Sequence, residues 1–388
     1  MRTLLFLLLF ASASPVIAAG YADAFYIPAT DDTVLETLPA VTGAEEIRRL
    51  QTLLKEDPQD PSRIVALARA YVSIGKREYD SRYYGYAEAL LAPYVSTSKN
   101  PDILLAEADI LQHRHEYARA LSALGKVLAL RPGDGQALLT RAVIYQVQGN
   151  FKAASSDCRA SIGHTSLLLS TICITEIDSL TGRLKESRDA LTLLYARNEA
   201  GADPEERSWA LTVLAEMHQR LDDSAKAEEY FRKALQVNPR DYYVLAALSD
   251  LLLAQKRDVE ARELLKPFSA INPLLLRLAL AEKSLQDNAV QRHLADLASR
   301  FEINRERGEK VHLRDEARYR LVLLGDAKTA FALAEANWEN SKEPADADIY
   351  LSAAFASGEK QKAQKIFAWQ QENRLQDVAL DAWREKLR

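Results

Sequence analysis

The chain has 388 residues, 48% hydrophobic and 27% charged, with 14 glycines and 13 prolines, a composition that suits a folded protein and excludes long flexible linkers. Its formal net charge of −5 argues against nucleic acid as the main ligand, because a phosphate backbone is ordinarily met by a basic stripe. The length suits either two or three ordinary domains or one continuous repeat body.

Residues 1–19, MRTLLFLLLFASASPVIAA, carry one positive charge, an apolar run from Leu4 to Phe10 and small residues before a cut near Ala18 or Ala19. That order reads as a secretory signal peptide. The run is too short to span a bilayer, which needs about 20 apolar residues. No cysteine follows the cut to carry a lipid, and no later stretch approaches a membrane span. The expectation is a soluble, exported protein of a bacterial periplasm, with a retained membrane anchor as the alternative.

Residues 20–60 read as an N-terminal arm and a cap helix. The arm, GYADAFYIPATDDTVLETLP, either packs on the first repeat or is a disordered leader. Thr42 then caps a helix through Glu56, with Ile47, Leu50, Leu53 and Leu54 on one face.

From Pro61 a helix-pair pattern recurs. Residues 61–100 place Ile64, Leu67, Ala68 and Tyr71 in a first helix, Gly75 at a turn, and Ala87 and Leu91 in a second. The stretch KREYDSRYYGY reads as an insertion between them, carrying Tyr79, Arg82, Tyr83, Tyr84 and Tyr86. Tyrosine supplies amphipathic contact area at low entropic cost, so the insertion is a candidate recognition surface. Alternatively its rings pack the longer turn onto the arm. Residues 101–134 and 135–167 repeat the pattern cleanly, the first with Leu104, Ala108, Tyr117 and Ala120, the second with Leu138, Ala142, Phe151 and Ala154. Glu107 and Arg141 hold the same place in these two units and are expected to meet as a partly buried ion pair. Residues 168–207 close on a polar loop, ARNEAGADPEER.

The most regular unit is 208–241. Leu211, Leu214 and His218 form one stripe, and Ala227, Phe231 and Ala234 face them across a turn near Asp222. Pro239 ends the second helix because it has no N–H to donate. After it come 242–275, a pair over 274–301, the charged loop INRERGEK, a pair over 311–343 turning at Gly325, and a unit over 344–369. The tail, 371–388, carries Leu375, Val378 and Trp383 on one face, as a terminal capping helix does.

The 34-residue unit 208–241 has Ala215 and Ala227 at its eighth and twentieth places, Phe231 at the twenty-fourth and Pro239 at the thirty-second. It resembles a tetratricopeptide repeat. The resemblance extends over 61–370 and implies an all-α fold: a right-handed α-solenoid of about eight stacked helix-turn-helix units that binds proteins and has no chemistry of its own. Stretches such as RYYGYAEALLAP and LLLRLALAE are also similar to exported proteobacterial repeat proteins of uncharacterised function.

The sequence lacks a GxSxG elbow, a GxxxxGK[ST] phosphate loop, HExxH and CxxC. No catalytic residue, metal ligand or cofactor is therefore expected. His113 and His115 read as solvated turn residues, and His218 as a packing residue. Cys158 and Cys173 lie on helices that stack directly and are a disulfide candidate in an exported chain; two buried free thiols are the alternative. In the resembled architecture the first helices line a concave groove, where the ninth positions read Asp109, Val143, Glu176, Glu216 and Asp250. This acidic column suits a basic or polar peptide, or else pairs with groove arginines such as Arg69 and Arg220 to hold the stack together. Tetratricopeptide domains that grip the C-terminal carboxylate of chaperones use lysines and asparagines on this face, and none stands at those ninth places. The functional expectation is a scaffold or adaptor for a protein or peptide partner. A soluble metal- or small-ligand-binding accessory of an envelope transporter is the alternative.

Overall fold

The structure, a computed structural model, describes residues 43–306 and 312–387. The signal-peptide and arm readings, and residues 307–311 of the charged loop, lie outside the described residues. What is described is helical throughout, without a strand.

A cap helix α1 (Ala44–Glu56) leads into nine helix pairs among the described residues, one more than the sequence count. They are α2 (Pro61–Glu78) with α3 (Ser81–Val95), α4 (Pro101–His113) with α5 (Tyr117–Leu130), α6 (Gly135–Val147) with α7 (Phe151–Ala160), and α8 (Leu167–Leu180) with α9 (Leu184–Asn198). Next come α10 (Pro204–Arg220) with α11 (Ser224–Val237), α12 (Tyr242–Ala254) with α13 (Asp258–Leu265), and α14 (Asn272–Ser284) with α15 (Val290–Glu306). The last two are α16 (Leu313–Arg318, widened by a π turn over Tyr319–Leu323) with α17 (Ala327–Trp338), and α18 (Pro344–Ser357) with α19 (Gln364–Glu372). The terminal helix α20 (Val378–Lys386) closes the series.

The chain punctuates these pairs the same way each time. Asp60, Asn100, Asp134, Ser166, Asp203 and Asp241 cap the first helices of six pairs through side-chain acceptors for backbone N–H groups. Each such cap is worth about 1 kcal/mol. Between the two helices of every pair stands one residue in the left-handed region: Tyr79, His115, Gly149, Gly182, Asp222, Lys256, Gln286, Gly325 and Gly358. That conformation ends a helix by turning the next N–H back onto its last carbonyls. Within 208–241 the packing is as read from sequence: Ala215, Ala227, Phe231 and Ala234 are fully buried, and His218 is buried.

Five local readings change. The tyrosine stretch is not an insertion between helices, because α2 runs on to Glu78 and only Tyr79 and Asp80 separate it from α3. Gly75 lies inside α2, where a Cβ would stand 3.2 Å from the ring of Tyr84, so its missing side chain makes room for that ring. The polar loop after α9 shrinks to residues 199–203, and α15 takes in Ile303–Glu306. Arg141 does not reach Glu107; it forms a two-pronged bond to Asp157 on its own partner helix, with both contacts at 2.7 Å. Asp157 is nearer and fixed in the fork geometry that a guanidinium prefers.

Cys158 and Cys173 are joined in a disulfide between α7 and α8, with Cα atoms 5.4 Å apart. That separation lies within the usual range for the bond. The solenoid then turns back on itself. The Tyr242 hydroxyl donates to the carbonyl of Arg77 at 2.7 Å, so the sixth pair touches the first. The Lys342 N–H donates to the carbonyl of Val147 at 2.7 Å, and the Leu184 N–H to Gln376 at 3.3 Å. One apolar cluster accordingly contains Phe151, Cys158 and Cys173 from the middle pairs together with Trp338, Tyr350 and Phe367 from the last ones. The inner face of the middle repeats is thus roofed by the C-terminal repeats.

Candidate functional site

The first helices α4, α6, α8, α10 and α12 present the ninth-position column to this roofed interior. At its two ends the acids are neutralised by cations. Asp109 lies 3.3 Å from Lys76, with the neutral imidazole of His113 at 3.6 Å. Asp250 takes Arg277 at 2.7 Å and also Arg318. Burial pushes the Asp250 carboxyl up, but the two guanidinium groups outweigh it and hold the group below its ordinary value.

The middle of the column is different. Glu176 accepts from Gln146 at 2.6 Å and from the Trp209 indole N–H at 3.1 Å, and Glu216 accepts from the Tyr243 hydroxyl. All these donors are neutral. Burial therefore raises the Glu176 carboxyl, with the two bonds only partly offsetting it. Burial likewise pushes Glu216 up to about 7, against the Tyr243 bond and with the negative field of Glu176 adding to the rise. Arg220 is near both acids but spends its guanidinium on Ser179, donating to its carbonyl at 3.0 Å and its hydroxyl at 2.6 Å.

The opposite wall carries charges of its own. Arg314 lies 3.0 Å from Glu343 and 3.3 Å from Asp346, and Glu343 acts on both Glu176 and Glu216 across the interior. Asp377, which caps α20, acts on Arg220 from the same side. Tyr243 keeps 56% of its surface exposed between these walls, so the interior is open to solvent at this level.

The tyrosines of the first pair divide into two groups. Tyr79 stacks edge-on against Tyr242 at 5.9 Å and so serves the closure, and Tyr84 lies on His113 of the second pair at 5.1 Å, so these two pack against other repeats. Tyr83 and Tyr86 stand 5.7 Å apart and each also meets Tyr71, and Tyr86 is exposed. Arg82 is paired with Asp80 at 2.7 Å. Of the two turn histidines, His113 is half-buried under Tyr84, whereas His115 is exposed, as a turn residue is expected to be, and lays one face on Tyr117 at 5.3 Å. Desolvation holds both imidazoles down at about 4. His218 packs as expected, against Tyr230 and 3.0 Å from Asp223.

Sequence reasoning missed Trp209 and Tyr243 as partners of the acids. The signal was present, since they are 34 residues apart and hold the same place in consecutive repeats. Arg314 and Glu343 had no such signal, because nothing local says which distant repeat the superhelix brings opposite. Among the described residues no three His, Cys, Asp or Glu side chains are arranged to hold a metal ion, and no helix is long and apolar enough to cross a membrane.

Residues 220–283 match the family described as Tetratricopeptide repeat. No curated protein matches the chain. Among solved structures, human IFIT1, as a dimer with PPP-AAAA, is 10% identical over 84% of this chain and 76% of its own, with a TM-score of 0.50, a likeness of fold alone. A Parabacteroides merdae tetratricopeptide repeat protein is 17% identical over 61% of this chain and 90% of its own, with a TM-score of 0.44. Pseudomonas aeruginosa pilF is 22% identical over 51% and 90%, with a TM-score of 0.39. Nine helix pairs turning through one left-handed residue each, with the family's pattern in their midst, make this chain a tetratricopeptide-repeat protein.

Proposed function

We propose that the protein is an exported, periplasmic scaffold or adaptor, without chemistry of its own, whose inner face receives a basic segment of a partner protein. The observation that carries this reading is the contrast within one column. Asp109 and Asp250 have cations in contact, whereas Glu176 and Glu216 have only neutral donors. A half-buried carboxylate without a cation in contact is costly, and a lysine or arginine brought in by a partner removes that cost. The exposed ring of Tyr243 supplies apolar contact at the same place, and Tyr83 and Tyr86 offer a second aromatic surface outside it. Export is supported by the leader pattern of residues 1–19 and by the Cys158–Cys173 bond, since disulfides persist in oxidising compartments.

The test is affinity capture from envelope extract with the intact chain and with a Glu176→Gln, Glu216→Gln variant. The reading expects one protein retained by the intact chain, lost by the variant and displaced by a lysine-rich peptide. Equal retention by both forms would move the partner surface to Tyr83 and Tyr86. Fractionation of cells into cytoplasm and periplasm tests the export reading separately.

A further inference from the structure

A cavity of about 270 Å³ lies between α4 and α6 on one side and α16 to α18 on the other. Val143 and Val147 of α6 give it apolar lining, so the single gap in the acidic column opens onto this cavity. One wall is the flat stack of His115 on Tyr117, with rings 5.3 Å apart and inclined by only 20°. Glu343 and Arg314 also line it.

Each property narrows what the cavity can take. Ligand cavities run from roughly 300 to 1,000 Å³, so this one suits a group the size of a single side chain. Its charge is negative, because Glu343 and Asp346 stand against Arg314 alone and Asp315 is held by Arg277. Asp346 is fully engaged, accepting from Asn337 at 2.8 Å, from Ser341 at 2.6 Å and from the Glu343 N–H at 3.0 Å. Glu343 shares Arg314 but keeps 32% of its side chain exposed, leaving acceptor capacity toward the cavity. The exposed imidazole of His115, packed on one face by Tyr117 and kept neutral by partial desolvation and by the neighbouring His312 and Arg314, adds a flat face and an acceptor but no positive charge. An anion is repelled here. A guanidinium matches: its plane stacks on an aromatic face, its fork pairs with a carboxylate, and an aliphatic stem covers valines.

We propose that this cavity binds a guanidinium group on a short aliphatic stem, whether an arginine side chain of a polypeptide or a free guanidino compound. The proposal deepens the reading of the inner face as a receptor for basic groups and rests on it to that extent. Calorimetry on the full chain tests it with N-butylguanidinium, its neutral isostere N-butylurea and a blocked Ala-Arg-Ala peptide. N-butylguanidinium should bind at least tenfold more tightly than N-butylurea. Val143→Trp, which puts a large ring into the lining, should abolish binding. His115→Gly should weaken it several-fold while preserving the turn, because His115 has φ 57° and glycine adopts that conformation freely.

Binding of the blocked peptide as well identifies the source as a polypeptide side chain, and binding of the free compound alone identifies a small molecule. Equal binding of the urea, no binding of any probe at millimolar concentration, or full affinity in both variants overturns the proposal. Loss of calorimetric binding together with intact partner capture by Glu176 and Glu216 removes this inference only; loss of both removes the reading of the inner face as well.

Discussion

Glu216 offers a stability test with an unusual sign. Its carboxyl titrates at about 7 in the folded chain against an ordinary value of 4.5, so the native state holds the proton more tightly than the unfolded state. Below about pH 4.5 both states are protonated and the group contributes nothing. Between 4.5 and 7 the unfolded chain releases a proton that the native chain keeps, so stability falls as pH rises, and above 7 the full cost is present. Each unit corresponds to about 1.36 kcal/mol, which puts the gap at roughly 3 kcal/mol, reduced to the order of 2 kcal/mol by water reaching the half-buried group. The groups that face it are Glu176, Arg220, Tyr243 and Glu343. Glu176 and Glu343 are themselves raised by burial and add to the same slope in the parent chain. Glu216→Gln keeps an acceptor for the Tyr243 hydroxyl and removes the ionisation. The expected outcome, by urea unfolding from pH 4.5 to 8, is a variant equal to the parent at the acid end and more stable by about 2 kcal/mol at the basic end. Hydrogen exchange in α10 and α12 localises the effect. A difference that does not change with pH, or one that favours the parent as pH rises, refutes the reasoning.

Replacing Cys158 and Cys173 together by alanine opens a 15-residue loop and should lower stability by about 3 kcal/mol in the chain-entropy account, read as a drop in the urea midpoint. Asp250→Ala leaves Arg277, only 8% exposed, with the Pro273 carbonyl at 2.9 Å and a single acid, Asp315, at 3.4 Å; about 3–5 kcal/mol should be lost by thermal unfolding, and Asp250→Asn should lose less. Tyr242→Phe removes the bond to the Arg77 carbonyl and should cost about 1 kcal/mol, with faster hydrogen exchange confined to the end of α2 and the start of α12.

The repeat was legible because its constraints are local. Alanine at the close approach of two helices, Phe231 in the gap and Pro239 past the end are decided within 34 residues, and Cys158 and Cys173 lie on adjoining helices. Tyr79 shows where that stops. It was visible as one of a cluster, but its role in turning the chain and meeting Tyr242 depends on the pitch of the whole solenoid. Glu107 and Arg141 show the limit of reading by register, since equal places in neighbouring repeats do not decide which acid a guanidinium takes when Asp157 is closer. The ninth-position acids were legible as equal places in successive repeats, but the distinction among them was not. Whether an acid has a cation depends on Arg277 and Arg318 from later repeats, and no periodicity encodes that meeting.

The most direct test of the account places a photo-crosslinking side chain at Tyr243, on the inner face, and separately at Leu193, on the outer surface of α9, both more than half exposed. Irradiation in envelope extract, followed by peptide mapping, reads which surface a partner occupies. The account predicts one protein crosslinked at 243 through a lysine- or arginine-rich segment, lost when Glu176 is changed to glutamine, with nothing specific at 193. Crosslinking at 193 with none at 243, or a segment at 243 without basic residues, contradicts it.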